Sequence, residues 1–264
     1  MVNNNNIFDV GAFNGLDGLI LALINPKIKV HAFEANPELI NIIKINKKKI
    51  ENYKKIKIKN YKINNFAVSD KNGSLTFNIA KNPTVSSLNK FSKNIDKTWP
   101  GYREAHCTVI RKIKVKSITL EKYCYKNKIK KINYLHIDTQ GSDLKVLNGL
   151  KKNISIVYRG VLEAAISKNK SLYATNHTIK DVKKFLTKNN FGISKINNVD
   201  QNITYEKNVY FYNKKLSDDF KINTNYNLRY YNRIISNRTT VKDKILDKIK
   251  NLFFIKYWSI HHQQ

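Results

Sequence analysis

The sequence predicts an α/β protein built on a doubly wound, mostly parallel sheet. Three observations carry that expectation. Short apolar runs alternate with segments of helical period from the start of the chain. Proline and capping residues punctuate those segments where helices should begin and end. The third is composition over 264 residues, 41% apolar and 26% charged. A chain of that length can bury a full core, as one large domain or a domain with an appendage, and is neither a disordered polymer nor a membrane bundle.

In order along the chain, Ile7-Phe8-Asp9-Val10 reads as a short buried strand. Residues 14–24 follow with apolar positions 16, 19, 20, 23 and 24, a helical stripe ended by Pro26. A second strand spans 29–33. Asn36 then serves as an N-cap, with Pro37 at the first helical position, opening a helix to about Ile50. A third strand is expected to end at Asn65-Phe66-Ala67-Val68. Asn72-Gly73 is a turn before a surface strand over 74–80, in which 75, 77 and 79 are apolar. Residues 81–108 read as loop. A strand over 112–120, a short helix near 119–127 and a fourth core strand over 133–138 come next. Gly141 leads into a helix over 142–150, and 154–163 is a fifth strand. Thr178-x-x-Asp181 caps a helix to about Asn189. Strands over 192–197 and 207–213 can form a hairpin.

Residues 1–213 are therefore expected to form the main domain. Residues 214–264 differ, with eleven Lys or Arg against four Asp and many Tyr and Asn. They are expected to form an extension ending in an amphipathic helix over about 240–258, with apolar positions 241, 245, 249 and 252. Such a helix can pack on protein or touch an anionic membrane peripherally, and packing fits its ordinary core spacing better.

The formal net charge is +30. Only six cations are arginine, and the chain also holds 37 asparagines. Lys, Asn and Ile share A/T-rich codons, so genome composition accounts for much of the excess. Phosphate-gripping surfaces favour the planar arginine fork. The longest apolar run, 19–24, is too short for a bilayer. Cys107 and Cys124 make no CxxC pair and no disulfide framework. With no secretory pattern in the first residues, a cytoplasmic location is expected. No metal-ligand spacing stands out, and His261-His262 reads as tail.

In parallel sheets ligands bind at the carboxyl ends of strands. After the first strand comes Gly11-x-x-x-Gly15, a turn that lets a ligand approach backbone amides. A dinucleotide fingerprint needs glycine where this chain has Phe13, which disfavours an NAD oxidoreductase. The second strand ends at Glu34, where a carboxylate can accept bonds from ribose hydroxyls.

Phe8-Asp9-Val10-Gly11-Ala12-x-x-Gly15, Ala32-Phe33-Glu34-x-Asn36-Pro37, Ala67-Val68-Ser69-Asp70-x-x-Gly73, Ser86-Ser87-Leu88 and Ile137-Asp138-Thr139-Gln140-Gly141-Ser142-Asp143-Leu144 occur in this order. Together they resemble the motifs of FkbM-type methyltransferases, over residues 8–163. The chain departs from the family pattern at Ala35, usually Pro, at His136, often Lys, and at Gln140 or Asp143, often Glu. The resemblance implies a Rossmann-like, seven-stranded sheet of the class I methyltransferase type. It also implies S-adenosyl-L-methionine as cofactor and O-methylation of a sugar, glycan or other small molecule.

On that reading Asp9, Gly11, Ala12, Asn14 and Gly15 hold the methionine part. Glu34, with Ala35 and Asn36, holds the ribose, and Phe66, Ala67 and Val68 flank the adenine. Candidates for the base that takes the acceptor's proton are Asp138, His136 and Glu163, in that order. Ser87 and Gln140 are expected near the acceptor. Two other readings stay open. One is an RNA methyltransferase, drawing on nine lysines within residues 44–62, although no recognised RNA-binding motif appears and nucleic acid is not the expected partner. The other is a non-catalytic binding protein that keeps the fold.

Overall fold

The computed structural model describes residues 5–99, 101–103, 105–174, 177–200, 203–216 and 222–237. Its strands are β1 (Asn6–Val10), β2 (Lys29–Phe33), β3 (Tyr61–Asn64), β4 (Ala67–Val68), β5 (Gly73–Ala80), β6 (Val109–Ile118), β7 (Tyr134–Ile137), β8 (Arg159–Ala165), β9 (Phe191–Asp200) and β10 (Ile203–Asn213). Its helices are α1 (Leu16–Ile24), α2 (Pro37–Lys54), α3 (Ile95–Thr98), α4 (Leu120–Lys126), α5 (Asp143–Asn148), α6 (Ile179–Lys188) and α7 (Leu228–Ile235).

β1 is buried along its whole length, as a strand covered on both faces must be. It lies mid-sheet in the order β3-β2-β1-β7-β8-β10-β9. β10 runs antiparallel to both of its neighbours, and the other strands run one way. Strand side chains alternate between faces. Ile7, Val30 and Ala32 accordingly pack with α1, α2 and α7, while Phe8, Val10 and Phe33 pack with α4, α5 and α6. The sheet is thus doubly wound and mostly parallel, as the alternation predicts.

Two expectations need correction. The third sheet strand is β3, not a segment ending at Val68. Ala67–Val68 has left the main sheet and pairs with β6 in a smaller β4-β6-β5 sheet. The apolar run at 66–68 looks like a core strand of the main sheet, but Ala67 packs within the second sheet's cluster while Phe66 and Val68 pack against the main core. Likewise residues 151–156 form a 3₁₀ helix, so the fifth strand starts at Arg159 rather than at 154.

α2 starts where Asn36 accepts from the Glu38 amide and Pro37 fills the first turn. It buries Leu39, Ile43, Asn46 and Ile50 at helical spacing. The lysine-rich stretch around its end is partly used inside the fold. Lys47 and Lys57 converge on buried Glu51, 3.1 and 3.7 Å away. Lys49 Nζ donates to the Ile235 carbonyl at 2.6 Å, and Lys54 Nζ lies 4.9 Å from the centroid of the Tyr230 ring. Residues 222–237 pack on the α1 and α2 face, where Ile222, Tyr231 and Ile234 are buried. The expected helix over 240–258 lies outside the described residues. Among the described residues, no helix is long and apolar enough to cross a membrane.

Candidate functional site

The carboxyl ends of β1, β2, β7 and β8 open into a cleft of about 350 Å³. Its first wall is the turn after β1. The Gly11 and Ala12 amides both donate to the Phe33 carbonyl, at 3.0 and 2.9 Å, which staples the turn to the end of β2. Gly11 has φ +89, and a Cβ there would lie 1.8 Å from the Asp138 carbonyl oxygen. Only glycine lets the turns after β1 and β7 approach this closely.

Glu34 ties the second wall to the first. Its two carboxylate oxygens accept from the Phe13 and Asn36 amides, each at 2.7 Å. Burial, and the charge of Asp9 nearby, push Glu34 up to about 7 against the pull of those amides. Ala35, Phe66, Ala67 and Val68 line the cleft beside it, so the residues expected at the second and third strand ends are brought together. Asn14 and Asn36 also line it, although each side chain is engaged locally, Asn14 with the Leu16 amide and Asn36 with the Glu38 amide.

Asp9 and His136 face each other across the β1–β7 register. His136 Nδ1 lies 2.9 Å from Asp9 Oδ1. Burial works to lower the imidazole's pKa, but the bond to Asp9 and the charges of Asp9, Asp17 and Asp138 outweigh it and lift it to about 9. His136 is therefore already protonated near neutrality, which corrects its place among the proton acceptors. Asp9 is 1% exposed, and its Oδ2 has no hydrogen-bond partner among the described residues. That oxygen lies against Gly18, where a Cβ would come within 2.4 Å of it. The spacing of Gly18 is visible in the sequence; its role as a seat for Asp9 depends on how α1 packs against β1.

Asp138 follows β7. Its Oδ1 accepts from Gln140 Nε2 at 2.7 Å. Gln140 is fixed in turn, its Oε1 accepting from the Tyr173 hydroxyl at 2.9 Å and its carbonyl accepting from Ser87 Oγ at 2.6 Å. Burial raises the pKa of Asp138, with partial offsets from His136 and Gln140. A carboxylate raised toward neutrality suits proton acceptance at neutral pH.

Gly15 and Ser87 correct the expected site in a different way, because neither is on the cleft wall. Gly15 takes φ +76 to start α1, facing Ile43 and Tyr61, and Ser87 sits behind the Gln140 turn. Within the segment read as loop, Pro83, Thr84, Val85, Ser86, Leu88 and Trp99 do line the cleft.

The far end carries Glu163 from β8 and Glu206 from β10. Burial, with Asp138 and other carboxylates nearby, holds Glu163 well above its usual range. Burial and Asp138 push Glu206 up to about 7. Sequence reasoning misses Glu206, since no local pattern marks it. It reaches the cleft only through the antiparallel register that sets it opposite Ala165.

Glu206 also gives a stability prediction. A carboxyl whose folded pKa is raised contributes stability that is fully present below its unfolded value and lost as pH rises through about 7. Glu206→Gln removes that loss. The variant is expected to match wild type at pH 5 and to exceed it by on the order of 2 kcal/mol at pH 9. Thermal unfolding across that range checks it, and parallel curves for the two proteins would contradict the placement of Glu206. Among the described residues, no three His, Cys, Asp or Glu side chains are arranged to hold a metal ion.

Comparison with known proteins gives one family. The profile described as "Methyltransferase FkbM domain" matches residues 9–193. No protein of curated function matches the chain. Among solved structures, similarity is found to an FkbM methyltransferase of Methylobacillus flagellatus KT, at 12% identity and a TM-score of 0.48. That match covers 78% of this chain and 43% of the other, so the chain spans less than half the length of that protein. TrmK of M. capricolum, in complex with S-adenosyl-homocysteine, matches at 15% identity and a TM-score of 0.45, covering 84% of this chain and 68% of that one. Magnesium protoporphyrin IX methyltransferase of Synechocystis PCC 6803, with bound SAM, matches at 10% identity and a TM-score of 0.42, covering 79% and 69%.

Proposed function

The chain belongs to the FkbM methyltransferase family, and on that premise we propose that it transfers the methyl group of S-adenosylmethionine to a hydroxyl of a sugar, glycan or other small molecule. One observation carries the reading. In a chain of net charge +30, the cleft is lined by six carboxylates, Asp9, Asp17, Glu34, Asp138, Glu163 and Glu206, and by no lysine or arginine among the described residues. A cation entering this wall draws its raised carboxyl groups, Glu34, Glu163 and Glu206, into their charged form, so the wall favours a cationic ligand over polyphosphate. It therefore suits a sulfonium bearing an amino group and weighs against NAD or an RNA backbone.

The Gly11–Ala12 turn and Asp9 hold the methionine end, and Glu34 holds the ribose. Phe66, Ala67 and Val68 flank the base. Bound there, the donor supplies an already activated methyl group. The protein's share is alignment, exclusion of water and removal of one proton. Asp138 takes the acceptor's O–H proton as the new O–CH₃ bond forms, and Gln140 is the positioning residue that orients it. Incubation with donor carrying a ¹³C-labelled methyl, followed by NMR of the product, tests this. Label on oxygen is expected; label on nitrogen or carbon would overturn the assignment of the acceptor atom.

A further inference from the structure

Four of the six cleft carboxylates have partners. Asp9 is bonded to His136, Asp17 accepts from the Tyr226 hydroxyl, Glu34 holds two backbone amides and Asp138 holds Gln140. The carboxylates of Glu163 and Glu206 have no hydrogen bond or ion pair to any described residue. Glu206 is 8% exposed, so its remaining exposure is to the cleft it lines. Burying a carboxylate without a partner is costly, and a ligand that brings a cation there recovers that cost.

The two share a location as well as a lack of partners. Glu163 stands opposite Asn208 and Glu206 opposite Ala165, so both side chains lie on one face of the β8–β10 ladder. This end is separated from the Gly11–Glu34 end by the width of β7 and Asp138. Trp99 lines the same cleft as the two carboxyl groups. An indole on the wall of an acidic cleft favours an organic cation over a neutral group.

Resting on the methyltransferase reading, we propose that the acceptor carries an ammonium group, held by Glu206 and Glu163 in the cleft that Trp99 also lines, together with the hydroxyl that is methylated. The acceptor class is an amino sugar or amino alcohol. An ammonium bound between carboxylates keeps its proton and has no lone pair, so it anchors the molecule and leaves the hydroxyl as the nucleophile. The hydroxyl proton goes to Asp138, the methyl passes from sulfur to oxygen, and the sulfur keeps the electron pair of the broken bond.

The test uses the full chain saturated with S-adenosylhomocysteine, whose own binding is measured first. Two matched pairs are then titrated by ligand-observed NMR: glucosamine against N-acetylglucosamine, and ethanolamine against ethylene glycol. Glucose 6-phosphate is the anionic control. Each amine is expected to bind about tenfold or more tightly than its neutral partner, a difference of about 1.4 kcal/mol, and the phosphate most weakly. In E206Q the preference is expected to fall severalfold while S-adenosylhomocysteine affinity is unchanged. Equal binding within the pairs, no binding by any probe, or a preference that survives in both E206Q and E163Q overturns this inference alone. Failure to bind S-adenosylhomocysteine overturns the methyltransferase reading and this inference with it.

Discussion

Asp138→Ala is expected to lower turnover by about 100- to 10,000-fold, the range associated with loss of a general base. Affinity for S-adenosylhomocysteine should stay within roughly tenfold of wild type, because the group acts mainly in the transition state. Asp138 meets three requirements together. It directly follows β7 at the middle of the cleft, the Gln140 amide fixes its direction, and burial raises its proton affinity. Neither other candidate meets all three. His136 is held protonated by Asp9, and among the described residues none orients the Glu163 carboxylate. Gln140→Ala should reduce turnover less than loss of Asp138 itself and should shift the acidic limb of the pH–rate profile upward, since the amide helps keep Asp138 ionised. Unchanged turnover in Asp138→Ala would remove this residue from the chemistry.

The second large effect is on folding. Gly11→Ala places a methyl group 1.8 Å from the Asp138 carbonyl oxygen at a φ of +89. The left-handed backbone costs about 1–3 kcal/mol, and forcing the turns after β1 and β7 apart costs about 1–3 kcal/mol more. Gly73→Ala is the matched control. Its φ is +121, but nothing lies within 4 Å of the added carbon. It meets the backbone cost alone. Gly11→Ala should therefore lower the thermal midpoint about twice as far as Gly73→Ala and should abolish ligand binding, which Gly73→Ala should leave intact. Equal effects would mean that contact between the two turns does not hold the cleft together.

Much of this site is legible in the sequence because it depends on local pattern. Gly11, Glu34 and Asp138 each stand immediately after a short buried strand, and parallel sheets put such residues on one edge. Their convergence needs only the strand order. Other features depend on contacts that pattern does not encode. Val68 is as apolar as a core strand residue, yet its partner is Ile118 of the second sheet rather than β2. His136 shows as a titratable residue on the right strand. Its protonation follows from Asp9 lying in register across a strand pair 127 residues apart in sequence. Glu206 has no sequence signature at all, because a hairpin register carries it into the cleft. β9 extends through Asn197 and Asn198, poor strand formers held by pairing with β10, which is why its expected end at 197 falls short of Asp200.

In the proposed reaction the glycine turn after β1 and the carboxylate of Glu34 together cradle the adenosyl donor. Calorimetric titration of S-adenosylhomocysteine into wild type and into Glu34→Ala addresses it most directly. Saturable 1:1 binding to wild type is expected, with a loss of about tenfold or more in the variant, as follows when charge-assisted bonds are removed. No saturable heat with wild type at millimolar ligand, or equal affinity in the two proteins, would contradict it.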